Sequence, residues 1–298
     1  MQTEERTSNA LTVAVAQFLA GTDVEKNLRR VEELTAQAAA RGAQLVVFPE
    51  ASMYSWEASA EDLAEAAHSS GPAFLEGVSA AAVRHGVTVV VGTFEPRPDA
   101  QPYNRLVVVA PDGSVRGCYD KVHLYDAFSW QESDKISAGT TYPDGSELCT
   151  LPVGGFTIGL LNCYDLRFPE MARALAERGA DVIVVSSAWV AGPYKEMHWE
   201  TLLRSRAIEN TSYVVASDQP PPASVGLSMI IDPFGLVVAT CPTSEGLALH
   251  ELDPAHLREV RQTVPSLSNR RYRVVAADHD STPHASESHS TDDSEGIR

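Results

Sequence analysis

The sequence has few cysteines and few basic residues, and both shortages limit what the protein does. Its 298 residues include four cysteines, which stand far apart and form no CxxC pair. A zinc site of the usual spacing and a dense disulfide framework are therefore not expected. Lysine and arginine number 23 against 40 acidic residues, which gives a formal net charge of −17. Such a surface repels nucleic acid phosphates and anionic lipids, so we expect neither as a partner.

The sequence also lacks a long apolar run. No stretch is long enough to cross the hydrocarbon core of a bilayer, so we expect no membrane partner. Residues 1–9 are polar and acidic, and they do not resemble a secretory signal. Because cytoplasmic thiols stay reduced and no disulfide framework is visible, we predict a cytoplasmic protein.

Short apolar runs rich in β-branched residues alternate with helical patterns along most of the chain. Strands are predicted at Leu11–Gln17, Phe156–Asn162 and Val182–Ser187, among others. Helices are predicted at Val24–Arg41 and at Ala73–His85, each followed by a glycine that ends it. This alternation, with added hairpins, predicts an α/β fold whose mixed sheets are covered by helices.

The patterned region contains no segment that looks like a linker. We therefore predict one domain over residues 10–276, after a flexible N-terminus at 1–9. Residues 277–298 hold six acids and one arginine, and we predict that they form a disordered acidic tail. The tail contains three evenly spaced histidines, His279, His284 and His289. A solvated polar tail is favoured over a metal site, because this spacing implies no compact ligand geometry.

Two reactive side chains follow buried strands, where open α/β sheets gather functional groups. Glu50 ends the apolar run that starts at Leu45, and Cys163 lies between a strand and the start of a helix. Backbone N–H groups at such a junction favour a thiolate and stabilise an oxyanion. On position alone, a nucleophile and an inert buried thiol are equal alternatives for Cys163.

A nucleophilic thiol needs a base, and the residues by themselves leave that base open. His123 and His198 are candidates for a Cys–His pair, but nothing in the sequence links either one to Cys163. Glu50 is the other candidate, as a carboxylate with a raised pKa. Its competing interpretation is an ordinary exposed loop carboxylate.

Three segments resemble the motifs of the nitrilase superfamily of carbon–nitrogen hydrolases, in the order and with the spacing of that family. They are Val46–Glu50, Tyr119–Leu124 and Leu161–Glu170. Shorter matches follow at His198–Glu200, Arg204–Asn210 and Asp232–Gly235. One Phe-Pro-Glu tripeptide is weak evidence, whereas three ordered motifs are specific. The resemblance extends over about residues 10–270, so the predicted domain becomes a carbon–nitrogen hydrolase domain.

The resemblance implies a four-layer α–β–β–α sandwich with two mixed β-sheets and a Glu–Lys–Cys triad. In that triad Cys163 is the nucleophile and Glu50 is the general base. Lys121 stabilises the tetrahedral oxyanion together with the backbone N–H of Tyr164. Glu132 matches a second family glutamate, which positions the substrate and the triad. The resemblance implies no metal and no organic cofactor.

The segment Cys163–Glu170 resembles the amidase branch that contains omega-amidases and deaminated-glutathione amidases. Tyr54 and Trp189 follow motif-bearing strands, and we expect both to line the substrate pocket with Tyr164. Arg167 is expected to form an ion pair near the nucleophile, with binding of a substrate carboxylate as the alternative. For Tyr54 and Trp189, packing is the competing interpretation.

The predicted function is hydrolysis of a small, carboxylate-bearing primary amide to a carboxylate and ammonia through a cysteine thioester. Hydrolysis of an N-carbamoyl amine or a nitrile by the same triad is the first alternative. A catalytically inactive scaffold is the second, and the intact triad disfavours it. The loop Tyr125–Trp130 departs from omega-amidases, which leaves the exact amide open. The resemblance also implies a homodimer or a higher homo-oligomer.

Overall fold

The fold is described by a computed structural model, which covers residues 10–142, 144–241 and 243–275. The segment predicted as a flexible N-terminus, 1–9, lies outside the described residues. The predicted acidic tail, 277–298, with its three histidines, also lies outside them. Predictions about these two segments therefore stay predictions.

Strands form where β-branched residues are concentrated, and most are short. In chain order they are β1 (Leu11–Gln17), β2 (Leu45–Val47), β3 (Thr88–Arg97), β4 (Ala100–Val109), β5 (Val115–Asp120), β6 (Asp126–Ala127), β7 (Trp130–Gln131), β8 (Thr150–Val153), β9 (Phe156–Asn162), β10 (Val182–Ser187), β11 (Tyr213–Asp218), β12 (Met229–Ile231), β13 (Val237–Thr240) and β14 (Gly246–Leu252). The predicted boundaries of β1, β9 and β10 are confirmed.

Twelve of these strands pair into two six-stranded mixed sheets with matching topology, and β6 pairs with β7 in a separate two-stranded sheet. The first has the order β14-β1-β2-β3-β4-β5, and the second has the order β13-β12-β11-β10-β9-β8. In each sheet three neighbouring strands run parallel, β1 to β3 in the first and β9 to β11 in the second. Because parallel strands end at the same edge, each sheet brings its strand-end residues together there.

Helices cover the outer faces of both sheets. They are α1 (Val24–Ala40), α2 (Ala60–His85), α3 (Pro169–Glu177), α4 (Lys195–Asn210) and α5 (Pro254–Thr263). Contacts join α2 to β3 in the first sheet, and α3 to β9 and α4 to β11 in the second. The predicted four-layer α–β–β–α sandwich is confirmed. Within the three described ranges, no helix is long and apolar enough to cross a membrane.

The alternation of side chains along β1 shows why the middle of this strand is apolar. Val13 and Val15 join the cluster between the two sheets, whereas Ala14 and Ala16 join the cluster between the first sheet and its helices. A strand buried on both faces needs apolar residues at every position. Small alanines on one face also let the helices approach closely.

Helix α2 and strand β8 show the differences from the predictions that have a clear physical reason. Helix α2 begins at Ala60 rather than Ala73, and it contains Pro72. Its start is capped by Ser59, which accepts a hydrogen bond from the Asp62 N–H. The free energy gained by burying Leu63 and Phe74 on one face of the helix exceeds the cost of the backbone hydrogen bond that Pro72 removes. Strand β8 was not predicted, since its proline is compatible only with an edge position, which is where β8 lies.

Candidate active site

Glu50 follows the buried end of β2 and turns its carboxylate into the space between the sheets. The side chain is 1% exposed. Its Oε1 accepts hydrogen bonds from Lys121 Nζ at 2.9 Å and from Asn104 Nδ2 at 2.6 Å. Its Oε2 accepts from the backbone N–H of Ala188, just beyond β10, at 2.9 Å. One carboxylate is therefore held by groups from both sheets.

Lys121 follows the end of β5 and places its ammonium between two carboxylates. Its Nζ donates to Glu50 at 2.9 Å and to Glu132 at 2.7 and 3.0 Å, and the side chain is 1% exposed. Burial opposes the ammonium charge, but the negative charges of Glu132 and Glu50 outweigh burial and raise the pKa of Lys121 well above its usual value. Lys121 is therefore a fixed cation.

Glu132 lies in a short 3-10 turn and completes this buried network. Its Oε2 accepts from the Tyr125 backbone N–H at 2.7 Å, and its Oε1 accepts from Asn104 Nδ2 at 3.2 Å. Burial raises the pKa of Glu132 against the opposing charge of Lys121. The Asn104 side chain thus touches both glutamates, and its Oδ1 accepts from Asn162 Nδ2 at 2.9 Å. This amide fixes the spacing of the two carboxylates.

Cys163 stands at the end of β9, in a left-handed backbone conformation with φ of +50°. Non-glycine residues avoid this region unless the surroundings enforce it, and such strain recurs at functional sites. The next turn is held by Asp165, which accepts from the Asn162 N–H at 2.9 Å and from the Tyr119 hydroxyl at 2.8 Å. Burial raises the pKa of Cys163 well above its usual value, and the charge of Glu50 adds to this effect.

The four groups meet at one cavity of about 480 Å³. Glu50, Lys121, Glu132 and Cys163 all contribute to its wall. Aromatic side chains make up much of the remainder, namely Trp56, Tyr125, Trp130, Tyr164 and Trp189. A thiol, two carboxylates and an ammonium at the wall of a mostly apolar cavity form a site suited to nucleophilic and acid–base chemistry.

The family profile described as Carbon-nitrogen hydrolase matches residues 12–262. The chain belongs to this family. A match of this length includes both sheets and all the elements that carry the buried network. The nitrilase-superfamily resemblance is thereby confirmed.

Several relatives of this carbon–nitrogen hydrolase are named as amidases. It is 37% identical over 262 residues to the deaminated glutathione amidase of Escherichia coli O157:H7, with coverage of 88% of this chain and 98% of the relative. A cysteine-to-alanine variant of the nitrilase-superfamily amidase of Nesterenkonia AN1 has a TM-score of 0.76 and 27% identity, with coverage of 89% and 95%. A glutamate-to-glutamine variant of that amidase has a TM-score of 0.73, 25% identity and coverage of 91% and 97%. That variant carries the acetamide moiety of fluoroacetamide at its active-site cysteine.

The structure of this carbon–nitrogen hydrolase brings together most of the residues proposed from the sequence. Tyr164 and Trp189 line the same cavity as the predicted triad and Glu132. Tyr54 is not among the residues that line it, and it packs instead against the cluster between the first sheet and its helices. Trp56, two residues further along, lines the cavity in its place. A role for Tyr54 in substrate binding therefore has no support from its position.

The histidines considered as bases lie away from the cavity wall. His123 Nδ1 is 2.8 Å from Asp165 Oδ1, and its ring stacks on Phe168 with centroids 3.8 Å apart. His198 is likewise absent from the cavity wall. Through these contacts with Asp165 and Phe168, His123 supports the turn that follows Cys163. A Cys–His pair with Cys163 is not formed by either residue in the described structure.

Two features of the site were not found from the sequence. Asn104 was missed, although an asparagine among the inward-facing residues of β4 is a signal that sequence reasoning can use. Arg167 was expected in an ion pair, and among the described residues this expectation is wrong. Its guanidinium lies over the Trp189 ring, 4.7 Å from the centroid, and its buried Nε and Nη2 have no hydrogen-bond partner. Within the described part of the chain no carboxylate forms an ion pair with Arg167, and its guanidinium lies over the Trp189 ring instead.

Gly92 in β3 lies directly against the turn that carries Glu50. A Cβ at this position would lie 2.5 Å from Ala51 N and 2.7 Å from Pro49 O, distances that force the backbone to move. We expect Gly92→Ala to lower the free energy of unfolding by about 1–3 kcal/mol, as overpacking does. We also expect kcat to fall about 10²-fold, because the Glu50 carboxylate is displaced. Denaturant unfolding and amidase assays measure the two effects.

Gly246 provides the matched control for this substitution. It also lies in a strand, β14, but a Cβ there would meet nothing within 4 Å. Gly246→Ala should therefore change the free energy of unfolding by less than about 0.5 kcal/mol and leave kcat unchanged. Equal effects of the two substitutions would contradict the assigned role of the close approach at Gly92.

Proposed function

We propose that this protein hydrolyses a small-molecule, non-peptide amide to a carboxylate and ammonia through a thioester on Cys163. The observation that carries this proposal is the buried contact of Lys121 with Glu50 at the wall of the cavity that Cys163 also lines. The relatives named as amidases support the same reaction class. The side chains of Glu50, Lys121 and Cys163, together with the Tyr164 backbone N–H, supply the groups that the proposed reaction uses.

In the first half of the proposed reaction, the Cys163 sulfur attacks the amide carbon while Glu50 takes the thiol proton. The carbonyl π electrons move to oxygen and give a tetrahedral oxyanion. Lys121 and the Tyr164 backbone N–H stabilise that negative charge. One such donor typically lowers the activation free energy by about 3 kcal/mol. Glu50 then returns its proton to the nitrogen, the C–N bond breaks, and ammonia leaves.

In the second half, water attacks the thioester carbon and gives up a proton to Glu50. The second tetrahedral intermediate expels the Cys163 thiolate, which recovers the proton from Glu50, and the carboxylic acid product is released. Dividing amide hydrolysis into two steps helps because the thioester is a better electrophile than the amide. The raised pKa of Cys163 makes a base in contact with the reacting groups necessary for the first half.

Glu132 acts in this proposal as a positioning residue. It holds Lys121 through two hydrogen bonds and is itself held by the Tyr125 N–H. Tyr164 and Trp189 are proposed to contact the substrate, because both line the cavity. An inactive scaffold is disfavoured, since a buried charged network of this kind is costly to retain for stability alone.

A panel of matched substrates tests the proposed reaction. Simple primary amides, the corresponding nitriles and N-carbamoyl amines are incubated with the enzyme, and ammonia release is measured. We expect the amides to react with the highest kcat/KM. Preferred turnover of nitriles or N-carbamoyl amines would transfer the proposal to the alternative substrate class.

Mass spectrometry of the wild-type enzyme, quenched with acid during turnover, tests the thioester itself. The enzyme keeps Glu50 because both thiol attack and thioester hydrolysis use this carboxylate, and acid stops the hydrolysis of the acyl-enzyme. After incubation with an amide and an acid quench, the peptide that contains Cys163 should gain the mass of the acyl group. An adduct on Cys118, Cys149 or Cys241 instead would contradict the assignment of the nucleophile.

The remaining predictions about assembly and location stay predictions. For the proposed homodimer or higher homo-oligomer, a compatible surface lies on α4 and the turn between β12 and β13. Its exposed apolar side chains are Met197, Ile208, Phe234 and Leu236. Ile208 lies against Gly235 of that turn, so the helix and the turn form one continuous surface. The cytoplasmic location is likewise a proposal.

A further inference from the structure

Lys195 is a buried cation in the cavity wall that the proposed reaction does not use. It is the first residue of α4, and only 5% of it is exposed. Its Nζ donates to the Tyr125 hydroxyl at 2.9 Å and lies 3.7 Å from the centroid of the Phe128 ring. Among the residues that the structure describes, no carboxylate is paired with this ammonium. A buried lysine of this kind normally has an anionic partner.

A second cation increases the positive charge at the same wall. Arg167 lines the cavity with Lys195 and lies 5.7 Å from the centroid of the same Phe128 ring. Two of its buried nitrogen atoms have no hydrogen-bond partner in the described part of the chain. Burial lowers the pKa of Lys195, and the charge of Arg167 lowers it further. The amino end of α4 adds a partial positive charge beneath Lys195. Each of these effects is relieved when an anion binds there.

The other acidic groups of the cavity do not neutralise this wall. Glu50 and Glu132 are both bonded to Lys121. Glu57 lines the mouth of the cavity but is exposed, so water screens its charge. The positive charge of Lys195 and Arg167 is therefore left for a ligand.

We infer that Lys195 is a specificity-determining residue that binds a carboxylate of the amide substrate, with Arg167 beside it. This inference rests on the proposed function and deepens it, because it names a residue that selects the class of amide. A carboxylate bound there forms charge-assisted hydrogen bonds in a mostly apolar cavity and leaves the amide group free to reach Cys163. A neutral amide of the same length leaves both cations without an anion.

The test compares an anionic amide with a neutral one of nearly the same shape. Succinamate and its methyl ester differ in the charge of one end, and ammonia release reports amide cleavage for both. We expect Lys195→Met to raise KM for succinamate about 10–100-fold, as the loss of a hydrogen bond to a charged group does. KM for the methyl ester should change less than about 3-fold, and kcat for both should change little, because Lys195 is not part of the reacting set.

Two further variants serve as controls. Lys195→Arg keeps the positive charge and should restore most of the affinity for succinamate. Lys26→Met removes one lysine charge from an exposed position on α1 and should leave both substrates unaffected, which controls for net charge. A Lys195→Met variant with the same change in KM for both substrates, or with no change, would overturn the inference.

A binding measurement on a second substitution, Lys195→Gln, tests the inference even if Lys195→Met folds poorly. It also separates this inference from the proposed function, because binding is measured without turnover. Succinamate is titrated calorimetrically into Cys163→Ala and into Cys163→Ala with Lys195→Gln. We expect the second protein to bind at least about 10-fold more weakly, and equal binding would overturn the inference. If the wild-type enzyme cleaves both amides with equal efficiency, only the inference fails. If it cleaves no amide at all, the proposed function fails.

Discussion

Replacing Cys163 by alanine is expected to abolish amide hydrolysis while leaving the fold intact. Loss of a covalent nucleophile lowers kcat by about 10⁴-fold or more, because the remaining groups have no sulfur to acylate. The substitution removes one sulfur atom, and the Ser187 side chain that interacts with it belongs to the neighbouring strand of the same sheet. Ammonia release measures the activity, and circular dichroism with thermal unfolding checks the fold.

Cys118→Ala is the matched control, since this exposed cysteine lies in β5 away from the cavity and should be dispensable. The raised pKa of Cys163 adds a pH test. Because burial raises the pKa of Cys163, alkylation of its thiol by iodoacetamide should accelerate as the pH rises above neutral. Full activity of Cys163→Ala, or alkylation that is already maximal at neutral pH, would contradict the proposed mechanism.

Replacing Lys121 by methionine is expected to reduce both stability and activity. The substitution leaves Glu50 and Glu132 buried and facing each other without a cation. Breaking a buried ion pair in this way costs about 3–5 kcal/mol. Separately, the loss of an oxyanion donor lowers kcat by about 10²–10³-fold. Denaturant unfolding and the amide assay, run where the variant is folded, measure the two effects separately.

The stability loss in Lys121→Met should depend on pH with a definite sign. Burial and the charge of Glu50 already raise the pKa of Glu132, and Lys121 is the main opposing charge. Without that cation the folded-state pKa rises further above the unfolded value. The variant therefore recovers stability as the pH falls towards the unfolded pKa of glutamate and loses it as the pH rises through the folded pKa.

Lys135→Met is the control for this second prediction. Its ammonium donates to two backbone carbonyls, those of Trp56 and Ala58, so its removal leaves no buried carboxylate unpaired. A loss of about 1–2 kcal/mol without this pH trend is expected. If Lys121→Met and Lys135→Met show the same loss at every pH, Lys121 is not the cation that the two glutamates require.

The positions of strands could be predicted where local patterns are unambiguous. The strand β9 ends at Asn162 as predicted, because β-branched and leucine residues give way to a cysteine and a polar turn. The start of α2 was missed, because local rules treat Pro72 as a break, and only burial of the apolar face shows that it is tolerated. Edge strand β8 was missed for the same kind of reason, since its pairing partner decides it.

The sequence alone determined the family through three ordered motifs, and with the family came the sandwich and the candidate triad. What only the tertiary structure decided is which atoms meet. The contact of Asn104 with both glutamates, and the absence of an ionic partner for Arg167 among the described residues, depend on residues far apart in the chain. Lys195 illustrates the physical reason. Its charge is visible in the sequence, but the burial that makes the charge costly, and so useful to an anionic ligand, exists only after the sheets and helices have packed.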